Sequence, residues 1–179
     1  MRTVFFDTES TDLKAMMGRI LCASFVPLEG EPYTFRFDEK PWKGKNQIDD
    51  SKLCIAIRDE LEKYNLIVGW NSKLHDIPLL NARLAKAGER PYACPNFHLD
   101  AMWYAGGSSM KIGSRKLDNV AKYFSLNSQK TEITWDDWQL AGTGDAEAMK
   151  TVIYHCEQDV KVLRDAYWHL LPYVHNLHR

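Results

Sequence analysis

The chain has 179 residues, the size of one ordinary domain, and 45% of them are hydrophobic, enough for a sizeable core. Its 23 Lys and Arg against 24 Asp and Glu leave a net charge of −1, which excludes the broad basic surface of a protein that coats duplex DNA. Contact with nucleic acid would be local, as at a strand end, and no stretch approaches the roughly 18 apolar residues of a membrane span.

The N-terminal MRTVFFDTES runs straight into a charged, strand-like segment and does not read as a signal peptide. Its apolar part, Thr3 to Phe6, reads as a strand ending at Asp7. Alternate residues of a strand share a face, so Asp7 and Glu9 would point the same way. Two such carboxylates repel each other, and a divalent cation between them relieves the repulsion. Ordinary surface acids at an exposed strand end are the other reading. Arg19 to Pro27 reads as a second strand, and Pro32 to Phe37 as a third, antiparallel to it. Residues 39–50 are charged and rich in Lys, and read as a loop. Ser51 to Tyr64 carries Leu53, Ile57 and Leu61 in helical spacing, with Asp50 or Ser51 as N-cap.

Leu66 to Trp70 reads as a buried strand that runs out through a short polar turn to Asp76. Asp76 opens a helix ending at Gly88. Strand ends are where α/β folds collect functional groups, so Asp76 is a site candidate; its ordinary role would be to cap the helix and favour its dipole. His75 beside it reads as structural or exposed. Phe97 to Asp100 is another short strand, and Asp100 is placed to support a site from behind. Arg115 to Phe124 is helical. Asp145 to about Leu171 is a long helix with an apolar stripe at Val152, Cys156, Val160, Leu163, Tyr167 and Leu170. Asp159 lies at the edge of that stripe, where an acid wants a metal or a basic partner. Three strands followed by alternating helices and strands give an α/β class with a mixed sheet.

Four cysteines, Cys22, Cys54, Cys94 and Cys156, stand far apart with no CxxC pair. That argues against a zinc site and for reduced thiols in the cytoplasm. Two short basic loops, Trp42 to Lys45 and Ser109 to Lys116, would grip phosphates if they reach the site, and are otherwise simply solvated. Trp135 and Trp138 flank two Asp residues; packing is their ordinary role and base stacking the functional one.

These segments resemble the DEDD (DnaQ-like) 3′–5′ exonucleases. That family's first motif is an apolar strand followed by D-x-E, and FFDTESTDL is similar to it. Its second motif, in the form seen in family B polymerase proofreading domains, is N-x4-D at a strand-to-helix turn; GWNSKLHDIPLL fits with Asn71 and Asp76. An aromatic often precedes that Asp, and His75 stands there instead. The third motif places an Asp on a late helix behind a Tyr or His, as in YHCEQDV. The resemblance runs from Val4 to about Leu171. It implies a ribonuclease-H-like fold, a mixed β-sheet flanked by α-helices, as a single exonuclease domain over residues 1–179. It also implies that Asp7, Glu9, Asp76 and Asp159 hold two Mg²⁺ or Mn²⁺ ions, which suit hard oxygen ligands. The substrate would be a DNA or RNA 3′ end and the product nucleoside 5′-monophosphates.

One departure from the family concerns the residue that handles the attacking water. The Tyr subclass has its Tyr four residues before the last Asp, and the His subclass its His five before; here His155 stands at four and Tyr154 at five. On a continuous helix a residue four back lies about 40° from Asp159 and one five back about 140° away. A continuous helix therefore turns His155 to the metals, and His is a competent base or water-orienting group. A helix starting after Tyr154 would let the Tyr swing inward instead. Competing readings are an RNase-H-like endonuclease and an inactive nucleic-acid-binding fold member. A further one is a proofreading or processing partner in a larger replication or repair complex.

Overall fold

The first strand extends further than its apolar run suggests. In the computed structural model, which describes residues 1–107, 110–128 and 131–176, strand β1 spans Thr3–Ser10 and carries both acids inside it. Strand β2 spans Ile20–Pro27 and β3 spans Tyr33–Arg36; β2 pairs antiparallel with both β1 and β3. Strands β4, Leu66–Gly69, and β5, Phe97–Asp100, are parallel to β1. The sheet order is β3-β2-β1-β4-β5, so β1 lies at its centre. The pairing of β1 with β2 slips between Glu9 and Ser10, just after the two acids.

The helices are α1, Ser51–Leu61; α2, Asp76–Lys86; α3, Met102–Ala105; α4, Leu117–Tyr123; α5, Trp135–Thr143; and α6, Ala146–Leu170, followed by a 3₁₀ turn at Leu171–Tyr173. Strand alternation divides the core. Val4 and Phe6 belong to the cluster built with α1 and α2, which Met149, Val152 and Cys156 of α6 join. Phe5 and Val68 belong to the cluster formed with α3, α4 and the later part of α6. All the stripe residues read on the long helix are buried. This is the expected α/β architecture, a mixed sheet flanked by helices. No helix among the described residues is long and apolar enough to cross a membrane, and all four cysteines are free thiols.

The departures are local. Helices α1 and α2 stop at Leu61 and Lys86, short of Tyr64 and Gly88; Gly88 stands beyond α2 with φ +73°, in the left-handed region glycine favours. Helices α3 and α5 were not anticipated. The signal for α5 was present: Thr134 and Asp137 form a reciprocal capping box, with Asp where Glu or Gln is usual, and Gly144 ends the helix at φ +97°. Asp50 holds the N-cap position of α1, but its carboxylate makes no capping bond. It instead accepts from the Arg83 guanidinium at 2.6 Å and from the Ile20 amide at 2.8 Å.

That ion pair ties α2 to the start of β2. Both side chains are buried, and Arg83 also donates to the carbonyls of Gly18 and Ala15. Removing one partner strands a charge out of water. Arg83→Ala should therefore cost about 3–5 kcal/mol of unfolding free energy, read from urea denaturation at constant slope. A loss below about 1 kcal/mol, the range of exposed pairs, would show that water reaches Asp50.

Candidate metal centre

Alternation along β1 sets the geometry of the site. Phe5, Asp7 and Glu9 face α6, while Thr8 faces the other side of the strand, toward α2. The carboxylates of Asp7 and Glu9 offer oxygens that lie within 4.8 Å of one another and of the Cys156 sulfur. Helix α6 brings the rest. His155 Nε2 stands 3.8 Å from Glu9 Oε1 and 3.9 Å from Asp159 Oδ2. Glu9, His155 and Asp159 are each less than a tenth exposed, and Asp7 is half-buried. Asp7 and Asp159 together line a cleft of about 390 Å³ with Trp70, Asn71, Arg115 and Lys116.

Asp76 arrives from the opposite face. Its Oδ1 accepts from the Thr8 amide at 3.1 Å and the Thr8 hydroxyl at 2.5 Å. Helix α2 starts at Asp76 with His75 in the N-cap position, and the first turn keeps the acid. Burial pushes the Asp76 carboxyl above the usual carboxylate range, and the Thr8 and His75 interactions partly offset this. The loop that carries it is pinned by β5. Asp100, buried at the strand end, accepts from the amides of Asn71 at 2.9 Å and Lys73 at 3.1 Å. His98 Nε2 meets the Ser72 hydroxyl at 2.9 Å. His98 and Asp100 therefore support the loop from behind, and Asn71 completes it at φ +61°.

Helix α6 is continuous from Ala146 to Leu170, with Asp145 capping it. Tyr154 is consequently 56% exposed while His155 is 6% exposed and faces the acids. Thr131 Oγ1 lies 2.7 Å from His155 Nδ1 and fixes the ring.

Three neighbours of the site were not assigned to it from the sequence. Thr131 lies on an irregular segment, where no periodicity announces it. Trp138 of α5 donates its indole N–H to Glu9 Oε2 at 2.6 Å. With Trp135, Leu13, His75 and Thr8 it also lines a mainly apolar recess of about 280 Å³ beside Glu9. Cys156 donates its thiol toward the Asp7 carbonyl at 3.5 Å. Burial pushes that thiol well above its usual range, which disfavours the thiolate, and the other donors of the group are hard carboxylate oxygens. The donor set thus fits Mg²⁺ or Mn²⁺. The two basic loops separate. Trp42 stacks on Phe35, and Lys45 lines a different depression with Arg83 and Lys86. Arg115 and Lys116 line the cleft; Ser109 lies outside the described residues.

A sequence profile of the RNase_H superfamily matches residues 4–171. The chain belongs to the RNase H superfamily. Among solved structures, the family B DNA polymerase from the hyperthermophilic archaeon Pyrobaculum calidifontis is similar, with a TM-score of 0.74 at 19% identity. The alignment covers 96% of this chain and 25% of the polymerase, so the chain spans about a quarter of that protein's length. At that identity the likeness establishes a shared fold. No curated protein sequence matches the chain. Within the superfamily fold, the carboxylates of this chain sit at the central strand and at the helix crossing it.

Proposed function

We propose that the chain is a metal-dependent 3′–5′ exonuclease that releases nucleoside 5′-monophosphates from a single-stranded 3′ end of DNA or RNA. The observation that carries this reading is the convergence of Glu9 and Asp159 on His155, with Asp7 beside Glu9 and lining one cleft with Asp159. Asp7, Glu9 and Asp159 would hold the cations, and Asp76, held by Thr8 at the end of β1, would join them as the resemblance to DEDD exonucleases implies. When bound, two Mg²⁺ or Mn²⁺ ions supply a hydroxide nucleophile at neutral pH and stabilise charge on the phosphate and the leaving 3′-oxygen. The buried Asp76 carboxyl, disfavoured as an anion by desolvation, is favoured as one by a neighbouring positive charge.

The chain's own groups do the rest. His155, its Nδ1 hydrogen-bonded with Thr131 and its Nε2 directed at the acids, would orient the attacking water or take its proton. Arg115 and Lys116, exposed on the cleft wall, attract the phosphates of the incoming strand. The near-zero net charge supports engagement of an end rather than a long duplex tract. The resemblance of the three acidic motifs to DEDD exonucleases and the shared fold of a family B polymerase support the direction of cleavage. They also support a place in a larger replication or repair complex, and the free cysteines fit a cytoplasmic setting.

The test uses oligonucleotides of DNA and RNA labelled at either end, with Mg²⁺, Mn²⁺ or EDTA, and a circular single strand alongside. Stepwise shortening from a free 3′ hydroxyl, with the circle left intact, is the expected result. Efficient cutting of the circle would make the protein an endonuclease instead.

A further inference from the structure

We propose that Trp138 is a positioning residue for the Glu9 carboxylate: its indole N–H holds Oε2 and leaves Oε1 turned toward His155 and the cation site. The inference rests on the metal-centre reading above and deepens it. The bond is short, 2.6 Å, and its acceptor is buried. A hydrogen bond to an ionised carboxylate is among the stronger kinds. Indole donates one proton, accepts none and does not titrate. Trp138 therefore orients Glu9 at any pH without competing for the cation. It also draws charge from a carboxylate crowded by Asp7. The same ring stands edge-on to His155, at 6.3 Å between centroids and 87° between planes. One side chain thus touches both a proposed metal ligand and the proposed water-handling group.

Docking of α5 does not depend on that bond. Gln139 Nε2 donates to the Thr11 carbonyl at 2.6 Å, Arg19 donates to the Gly142 carbonyl, and the capping box sets the start of the helix. With α5 held by these contacts, the indole N–H is left to act on Glu9. The sequence offered only two Trp residues among acids, for which stacking and packing are the obvious roles.

The experiment is an equilibrium titration with Mn²⁺ alone, read by electron paramagnetic resonance of the free ion, on the full chain. Trp138→Phe keeps a large ring and deletes the donor; it should weaken Mn²⁺ binding by roughly 10–100-fold, the range for groups that orient metal ligands. Gln139→Ala, which removes a different α5 contact, should leave the affinity unchanged. Glu9→Gln should weaken binding, and adding Trp138→Phe to it should cost nothing more, because the two act as a unit. Wild-type affinity in Trp138→Phe, an equal loss in Gln139→Ala, or a full further loss in the double variant would each overturn the inference. Equal Mn²⁺ binding by wild type and Glu9→Gln would instead remove Glu9 from the metal centre and take both readings down. Independently of whether Trp138→Phe folds, one of the six indole N–H resonances should shift on Glu9→Gln substitution and again on adding Mg²⁺ to the wild type. An unmoved set of indole signals in Glu9→Gln also overturns the assignment.

Discussion

Replacing Asp7 or Asp159 with Ala is expected to reduce nuclease activity to background while leaving the fold intact. The two acids line one cleft from different elements, β1 and α6, so either loss breaks a metal centre that spans both. A general acid or base contributes about 10²–10⁴-fold; losing a metal ligand should exceed that, because nucleophile formation and charge stabilisation fail together. The apo fold should tolerate the change. Asp7 and Glu9 are like charges with oxygens within 4.8 Å, and removing one relieves repulsion. Metal-free Asp7→Ala should therefore melt at or above the wild-type temperature. Measurements are single-turnover digestion of a 3′-labelled strand and thermal unfolding in EDTA. Activity retained in EDTA, or in Asp7→Ala, would sink the metal mechanism.

His155→Ala is expected to lower turnover by about 10²–10⁴-fold with a modest change in substrate affinity, the signature of a lost acid–base group. The metal ligands remain, so Mn²⁺ binding should persist. Tyr154→Phe should stay near wild type, because Tyr154 is exposed on the outer side of a continuous helix. A base must be neutral to accept a proton, so wild-type turnover should fall as pH drops through the imidazole titration, and His155→Ala should lack that limb. A crippled Tyr154→Phe beside a competent His155→Ala would reverse the assignment.

The arrangement of these groups explains which parts were readable in advance. Period-two alternation along Val4–Glu9 was enough to put Asp7 and Glu9 on one face, since Cβ direction in a strand is a backbone property. The 100° step of a helix was enough to place His155 with Asp159 and Tyr154 outside, once the apolar stripe ran unbroken past Val152. The α/β class followed from the order of apolar runs, because each run must bury one face against another layer. Boundaries were less legible. Helices α1 and α2 end earlier than their polar flanks suggest, and α5 was passed over because its capping box uses Asp137 and its apolar face is short.

Chain order and spacing determined the α/β class, the strands and the long helix, all of which depend on local geometry, while the four acids were singled out by the resemblance of their motifs to a family. Three matters were decided only by packing across distances of 24 to 129 residues. Asp76 meets β1 at Thr8, 68 residues away, rather than serving as a helix cap. Asp50 is drawn from its cap position to Arg83, because a buried guanidinium needs a counter-charge more than a helix end needs an acceptor. The third concerns the contacts of Trp138 with Glu9, 129 apart, and of Thr131 with His155, 24 apart; they exist only because α5 and the segment before it fold over the end of β1. Periodicity reports which face a side chain takes; which partner waits on that face is set by how the layers close.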